Sequence, residues 1–308
     1  MLKYCIKRLL WMIPVVLGVA VLIFTLMYFV PGDPTSQLLG VEATEEDRAA
    51  MREELGLDDP YLVRLGRFLK ETFIDFNLGT SYKTKQSVSE QILAKLPNTM
   101  RVSYLAVCIS VLVGIPLGVI AATNQYSWKD NMAILLSLFF ASMPNFWFAL
   151  ILVMFVAVKW AILPVIFDGT WKSFIIPCIS VGLASAAGIA RQTRSSMLEV
   201  IRQDYITTAR AKGQTEMKVI YRHALKNALI PVITAIGGQL AALVGASIIA
   251  ETIFSIPGIG TYLLSAVNAR DYPVVQGCIV VVAVIFSFTM FVVDLLYALV
   301  DPRLRSQY

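Results

Sequence analysis

The chain has 308 residues, of which 57% are hydrophobic and only 15% are charged, and its formal net charge at pH 7 is +5. A soluble domain usually carries about 25% charged residues, so this composition argues against a soluble domain and favours a membrane protein. The charged residues are also clustered, which leaves long neutral stretches between the clusters.

Six neutral stretches are long enough to cross a bilayer, because a helical span needs about 20 apolar residues. Backbone groups in lipid must form internal hydrogen bonds, so these stretches are predicted to be helices. They cover residues 9–30, 102–123, 131–158, 173–190, 229–250 and 274–293. We therefore predict an all-α polytopic membrane protein with six transmembrane helices.

The first stretch follows Lys3, Lys7 and Arg8, as the apolar part of a signal peptide would. It is longer than the 7–15 apolar residues of such a signal, and no small-residue cleavage site follows it. We therefore expect residues 1–30 to form the N-terminus and a retained first span.

The loops on the two sides of the six spans differ in charge. One side contains both termini, residues 124–130 and residues 191–228, and it carries 14 Lys and Arg against 6 Asp and Glu. The other side carries 12 Lys and Arg against 15 Asp and Glu. Because short cytoplasmic loops are rich in Lys and Arg, we predict that the termini and the 191–228 loop are cytoplasmic.

Residues 31–101 are then extracytoplasmic, and they contain signals for short helices. Thr44 precedes an acidic first turn, and Gly56 and Pro60 provide stop signals. Ser87 and Glu90 have the spacing of a capping box. Apolar residues at helical spacing lie between these signals: Leu62, Leu65, Leu69 and Phe73. We predict a small helical insertion, too sparsely apolar for an independent enzyme domain, followed by a core domain over 102–308.

The most basic loop contains a predicted helix, a break and a second helix. Asp204 is expected to cap a helix over 205–212, with Arg210 and Lys212 in the last turn, where the helix dipole favours cations. Gly213 has the C′ position after this helix, and Thr215 starts a helix that leads into the fifth span. We expect that helix to carry an apolar face with Met217, Ile220, Tyr221, Ala224 and Ala228, and a basic face with Lys218, Arg222 and Lys226.

Three interpretations of this loop remain open from its pattern alone. It can be a solvated loop whose cations only set the topology, or a basic amphipathic helix on anionic lipid. It can also be a docking element whose short helix enters a groove of a cytoplasmic partner.

The spans contain almost no ionisable residues, which argues against an ion-driven secondary transporter. Glu251 lies at a span end, and Gln239 is the most polar residue deep in the fifth span, where it can line a pathway or form an interhelical hydrogen bond. The chain has no G-x-x-x-x-G-K-[ST] phosphate loop, so uphill transport would take its energy from another subunit. The single His223, and four Cys without a C-x-x-C pair, argue against a metal site, and no catalytic constellation supports a membrane-embedded enzyme.

Small residues and prolines in the spans indicate close helix packing and bends. Gly237, Ala241 and Gly245 form a small-x-x-x-small row in the fifth span, and Gly182 and Ala186 do so in the fourth. Three prolines can bend spans one to three: Pro14, Pro116 and Pro144. The segment "ETIFSIPGIG" (251–260) follows the fifth span, and its candidate gate residues are Glu251, Pro257, Gly258 and Gly260. A re-entrant gating segment and a plain external turn are both open for it.

An ordered set of motifs along the whole chain resembles the permease subunits of bacterial ABC importers, in the dipeptide, oligopeptide and nickel branch. The motifs are "PGDP" (31–34), "FNLGTSY" (76–82), "TRSSMLEV" (193–200), "DYITTARAKG" (204–213), "HALKNALIP" (223–231), "ETIFSIPGIG" and "RDYPVVQG" (270–277). The resemblance implies a type I ABC importer permease fold, in a multi-pass protein of the bacterial inner membrane.

The resemblance also implies a role for the basic loop. In the family this loop carries the EAA motif, whose short coupling helix docks in a cleft of the ATPase subunit. Here Thr207 stands where the general motif has glutamate, and Pro231 lies farther from the glycine. The implied coupling residues are Tyr205, Ile206, Thr207, Thr208, Ala209, Arg210, Ala211, Lys212 and Gly213. Arg210 and Lys212 are the expected polar contacts, with Tyr205, Ile206 and Ala209 as the inserted apolar face.

The function implied by the resemblance is ATP-driven import of short peptides by alternating access. The implied partners are a second, homologous permease, two cytoplasmic ATPase subunits and an extracytoplasmic solute-binding protein. The chain itself would be non-catalytic and bind no cofactor, since ATP and Mg²⁺ would be held by the ATPases. Import of a nickel chelate or of glutathione is the alternative within the family.

Overall fold

The computed structural model describes residues 2–30, 34–40 and 43–300, so most of the "PGDP" motif lies outside the described residues. The described chain is built from helices, with a single isolated β-bridge between Thr80 and Ser87. Before the third predicted span these are α1 (Leu2–Phe29), α2 (Pro34–Leu39), α3 (Glu45–Glu54), α4 (Tyr61–Phe73) and α5 (Val88–Thr123). The following helices are α6 (Trp128–Ser142), α7 (Asn145–Leu152), α8 (Ile175–Ile201), α9 (Asp204–Ala211), α10 (Glu216–Lys218), α11 (Leu225–Ile253), α12 (Ile259–Asn268) and α13 (Tyr272–Val300).

Several of these helices can cross a membrane. Among the described residues, four helical segments are long and apolar enough, and a fifth is formed if one bent pair counts as a single span. The all-α membrane fold is therefore confirmed, while the number of six spans stays a prediction.

The predicted third span, residues 131–158, is bent at Pro144, as the proline predicted. The structure breaks it into α6 and α7 with a bend of 99°. Pro144 precedes the first residue of α7, and Met143 is extended with φ −76° and ψ 131°. A proline disfavours the helical conformation of the residue before it, so the bend follows from Pro144. After α7, residues Val153–Lys159 continue as a π-helix.

Two predicted helix boundaries also change. The capping-box helix at Ser87 and the second span at 102–123 form one continuous helix, α5, of 36 residues. The fourth span does not end at residue 190, because α8 runs to Ile201 and so includes the start of the predicted cytoplasmic loop. Polar residues beside an apolar stretch do not by themselves end a helix, and in α5 even Pro97 lies within the helix.

Three local signals predicted within residues 31–101 are confirmed, at Thr44, Gly56 and Pro60. Thr44 caps α3 by accepting a hydrogen bond from the Asp47 backbone N–H (3.2 Å), and Asp47 accepts one from Thr44 N–H (3.1 Å). The Thr44 hydroxyl also donates to Asp47 Oδ2 at 2.7 Å, and this bond, together with the one from Thr44 N–H, lowers the pKa of Asp47. Gly56 ends the turn after α3 with φ +60°, and Pro60 is the N-cap of α4.

The chain forms two compact units. The first contains Met100–Ile256 and the described parts of Met1–Ile6 and Phe288–Tyr308. Its centre is the packing of α8 against α5 and α11. Helices α5 and α8 approach closely at glycines: a methyl group at Gly118 would lie 2.5 Å from Thr193 Cβ, and one at Gly182 would lie 2.8 Å from the Ala106 carbonyl oxygen. The predicted small-residue row in the fourth span therefore makes a helix–helix contact.

The second unit contains Lys7–Thr99 and Pro257–Ser287. Here the apolar face of α4 (Phe68, Leu69 and Phe73) packs against Val16 and Ala20 of α1 and Val280 of α13. Tyr61 at the start of α4 also makes a hydrogen bond with Thr25 of α1, at 2.7 Å. Helix α4 of the insertion thus lies against long helices of this unit, and the predicted domain limits remain a prediction.

Candidate functional site

The short helix predicted in the basic loop is present as α9, Asp204–Ala211. Its N-cap is Gln203, which makes no side-chain capping bond, so the predicted cap at Asp204 is wrong. Asp204 instead lies in the first turn, where its negative carboxylate interacts favourably with the positive end of the helix dipole. Gly213 takes the predicted C′ position: its φ is +73°, and its N–H donates to the Arg210 carbonyl oxygen at 2.9 Å.

The orientation of α9 corrects one part of the predicted coupling surface. Ile206 is completely buried and Ala209 is nearly so, and both belong to a core cluster with Val119 of α5 and Met197 of α8. These two side chains are therefore not available for insertion into a partner. The remaining predicted coupling residues are exposed: Tyr205, Thr207, Thr208, Arg210, Ala211, Lys212 and Gly213.

The segment between α9 and α11 also differs from the predicted face. Thr215 is the N-cap of α10 as predicted, but residues Val219–Ala224 form a π-helix before α11 begins. A π-helix has hydrogen bonds five residues apart, so Val219 and Ala224 share the buried face. Met217 and Tyr221, predicted on the apolar face, are exposed. The basic face is confirmed, with Lys218, Arg222 and Lys226 all exposed.

Two side-chain contacts hold α9 to the segment that leads into α11, and a third lies within that loop. Arg210 forms a two-point ion pair with Glu216, Nη2–Oε1 at 2.7 Å and Nε–Oε2 at 3.1 Å. This hydrogen bonding lowers the pKa of Glu216 and raises the pKa of Arg210. His223 Nε2 lies 2.8 Å from Gln214 Oε1, and Asn227 Nδ2 donates to Tyr205 Oη at 2.8 Å. The His223 side chain thus links the π-helix at residues 219–224 to the turn at Gln214.

Deeper in the first unit, Gln239 forms an interhelical hydrogen bond, which is one of the two roles that the sequence left open. Its Nε2 donates to the Ser185 carbonyl oxygen of α8 at 2.7 Å, whereas its Oε1 is buried and has no hydrogen-bond partner. Glu251, near the end of α11, is fully buried and accepts a hydrogen bond from Ser247 Oγ at 3.2 Å. Glu251 therefore lies in the packed interior of this unit, whereas Gln239 is partly buried at the contact between α11 and α8.

The candidate gate segment is a tight connection. In the first unit α11 ends at Ile253, Ser255 has φ +53°, and Ile256 N–H donates to the Glu251 carbonyl oxygen at 2.8 Å. In the second unit, the Pro257 carbonyl oxygen accepts from Asn98 Nδ2 at 3.1 Å, and Ile259 N–H donates to Thr99 Oγ1 at 2.8 Å. Gly258 is the N-cap of α12, and Gly260 lies in its first turn.

One buried polar centre in the second unit was not predicted. Asp271 accepts hydrogen bonds from Ser81 Oγ (2.5 Å), Tyr82 N–H (3.0 Å) and Lys83 N–H (3.2 Å). These residues join the motif "FNLGTSY" and the residue that follows it to the motif "RDYPVVQG". Both motifs were recognised in the sequence. A single sequence, however, does not indicate that the two segments contact each other.

The comparisons with known proteins identify the family. The family model described as "Binding-protein-dependent transport system inner membrane component" matches residues 114–306, and the model for the N-terminal part of such components matches residues 1–103. The chain belongs to this family. It is an integral inner membrane permease subunit of an ABC importer of the dipeptide and oligopeptide branch.

Individual relatives match along the whole chain. The dipeptide transport system permease protein DppB of Alkalihalophilus pseudofirmus is 40% identical over 333 aligned positions, covering 99% of this chain and 100% of the relative. The glutathione transport system permease protein GsiC of Salmonella paratyphi A is 37% identical, with 99% of each chain covered. Among solved structures, the inward-facing MetNI methionine ABC transporter matches with a TM-score of 0.60 at 18% identity, over 68% of this chain and 96% of that one. This structural match supports the type I permease fold alone.

Membership of this family implies two kinds of partner protein. Permeases of this kind work with ATPase subunits and with a solute-binding protein.

Proposed function

We propose that this permease imports short peptides, with glutathione as the second candidate substrate. The observation that carries the proposal is the 40% identity to a dipeptide permease over nearly the full length of both chains. The 37% identity to a glutathione permease over the same extent favours the second candidate. Glutathione is itself a small peptide, so both substrates belong to one chemical class.

We further propose that the exposed side of α9 is the surface that receives the force of the ATPase. The contact would involve Tyr205, Thr208, Arg210 and Lys212, together with Thr207, Ala211 and Gly213. Ile206 and Ala209 would have a different role. Because they pack against α5 and α8, a push on α9 moves those helices directly rather than being lost in a flexible loop.

The remaining parts of the proposal follow the charge distribution and the family. The termini and α9 face the cytoplasm, the chain pairs with a second homologous permease, and two ATPase subunits bind ATP and Mg²⁺. The chain itself catalyses no reaction and holds no cofactor. Gln239, Glu251 and the segment around Pro257, Gly258 and Gly260 are candidates for the pathway and its gate, to be reached when the packed helices separate.

Uptake by the reconstituted complex tests the proposal. The permease would be purified with its partner subunits, placed in proteoliposomes and supplied with the binding protein loaded with labelled dipeptide, tripeptide or glutathione. We expect uptake that needs ATP on the ATPase side and that persists after ionophores remove ion gradients. Uptake driven by an ion gradient without ATP would contradict the proposed mechanism. Uptake of glutathione but of neither unmodified peptide would select the second candidate.

A further inference from the structure

Two large apolar side chains are exposed on the segment that follows the turn at Gly213. Met217 in α10 is 72% exposed, and Tyr221 in the following π-helix is 55% exposed. The two residues are four positions apart in one helical segment, so their side chains are neighbours on its surface. We call Met217 and Tyr221 the exposed pair. Apolar side chains that are grouped at a surface mark an interaction site more often than scattered ones do.

The exposed pair is joined to α9 by side-chain contacts on both sides of it in the sequence. Glu216, directly before the pair, binds Arg210 of α9 at two points. Asn227, which follows the pair, donates from Nδ2 to Tyr205 Oη of α9 at 2.8 Å. The surface of the exposed pair is therefore continuous with the exposed side of α9.

A lipid surface is a poor match for the exposed pair. A helix that lies in a membrane interface needs its apolar and charged residues on separate faces. The apolar face of this segment is used inside the protein, because Val219 and Ala224 are completely buried in a core cluster. The exposed pair instead alternates along the chain with two exposed cations, Lys218 and Arg222. Two apolar side chains among cations fit the shaped surface of another protein better than a lipid layer.

We propose that the exposed pair inserts into an apolar pocket of the ATPase subunit, and that Lys218 and Arg222 meet acidic side chains at the rim of that pocket. The inference rests on the proposed docking of the ATPase at α9 and extends that contact beyond Gly213. Ile206 and Ala209 are buried in the chain's own core, so α9 alone offers the ATPase few apolar side chains.

The composition of the segment supports this role. Met, Tyr and Arg are enriched at the centres of protein interfaces, and a few such anchors carry most of the binding energy. Within the described part of the chain, neither Lys218 nor Arg222 forms an ion pair. Both cations are therefore available to acidic groups of a partner, whereas Arg210 is already paired with Glu216.

Titration of purified ATPase subunits onto the rest of the complex in detergent measures this contact. The double substitution Met217→Ala, Tyr221→Ala should weaken ATPase binding at least about tenfold, because it removes both apolar anchors. Thermal unfolding of the permease should change little, since both side chains are exposed. The pair Met217→Leu, Tyr221→Phe keeps the apolar volume and should retain most of the binding.

The matched control is Leu62→Ala, Ile74→Ala. These two apolar side chains are 76% and 69% exposed, and they belong to the insertion predicted on the opposite side of the membrane. This control should bind the ATPase as the unmodified complex does. An equal loss of binding in the control would overturn the proposal, as would unchanged binding by the double alanine variant.

Photocrosslinking in the complete complex identifies the partner directly. Tyr221→p-benzoyl-phenylalanine should give a crosslink to the ATPase subunit, and a crosslink only to lipid or only to another permease chain would overturn the proposal. ATP-driven peptide uptake by the unmodified complex, measured on the same preparation, tests the proposed function separately. If Arg210→Glu weakens ATPase binding and the double alanine variant does not, the exposed pair is refuted while the contact at α9 stands.

Discussion

Arg210, in the last turn of α9, and Glu216, in the first turn of α10, close the turn around Gly213 with a two-point ion pair. The pair connects α9 to the segment that leads into α11. Both side chains are about half exposed, and exposed pairs contribute at most about 1 kcal/mol to stability. Its significance is therefore the shape of the turn and the charge that Arg210 presents, more than the stability of the whole chain.

The substitution Arg210→Glu should lower the recovery of the ATPase subunits with the permease. It places two carboxylates against each other across the turn and removes a cation from the proposed contact surface. Thermal unfolding should change little, while ATPase recovery after affinity purification should fall several-fold. The swapped pair Arg210→Glu, Glu216→Arg restores the attraction and should recover part of the loss. Full ATPase recovery with Arg210→Glu alone would rule out a coupling role for this residue.

Ile206 and Tyr205 are neighbours in sequence, but substituting each with alanine should affect different properties of the permease. Ile206 is fully buried in the chain's own core, so Ile206→Ala leaves a cavity and should lower stability by about 2–4 kcal/mol. Tyr205 is 43% exposed and is bonded to Asn227. Tyr205→Ala should therefore reduce ATPase recovery with a small effect on stability. Unfolding curves and co-purification, measured on both variants, separate the two roles. An unchanged melting temperature for Ile206→Ala would contradict the burial.

The sequence was sufficient where a local rule decides the conformation. Thr44 with Asp47, and Gly213 after a basic last turn, carry their structural meaning in the residue type and its immediate neighbours. The family was also recognisable, because its motifs occur in order along the whole chain. The apolar stretches were enough to predict a helical membrane protein, because lipid leaves few other solutions for the backbone.

The sequence was insufficient where tertiary packing selects among faces or boundaries. Ile206 and Ala209 form an apolar face that could have met a partner or the chain's own core, and only the positions of α5 and α8 decide between them. Met217 and Tyr221 were misplaced because a helical wheel assumes 3.6 residues per turn, whereas Val219–Ala224 is a π-helix. Pro144 was recognised as a possible bend, but the size of the bend depends on the helices around it.

The close approach of α5 and α8 predicts that an added methyl group lowers stability at Gly118 but not at Gly18. Gly118→Ala places a Cβ 2.5 Å from Thr193 Cβ and 2.6 Å from the Ala190 carbonyl oxygen. The helices must separate, which should lower stability by about 1–3 kcal/mol. Gly18→Ala in α1 is the matched control, because no atom lies within 4 Å of its added Cβ. Thermal unfolding in detergent compares the two. Equal melting temperatures for both variants would show that α5 and α8 do not pack this closely.

Asp271 should be sensitive to the loss of a single acceptor. Asp271→Asn keeps the shape of the side chain but replaces one of the oxygens that accept from Ser81, Tyr82 and Lys83 with a donor. An unpaired buried N–H costs about 1–3 kcal/mol, so the melting temperature should fall. Ser81→Ala leaves the two backbone donors in place and should cost less. A larger effect for Ser81→Ala than for Asp271→Asn would mean that the carboxylate does not organise this turn.

Gly213→Pro gives the most direct test of the claim that force enters the permease through α9. Proline fixes φ near −65°, whereas Gly213 has φ +73° and uses its N–H to close the end of the helix. The measurement is ATP-driven uptake of labelled peptide by proteoliposomes containing the complete complex, with membrane insertion of the variant verified separately. Our account predicts a correctly inserted permease whose uptake falls to the level seen without ATP. Normal ATP-driven uptake by that variant would contradict it.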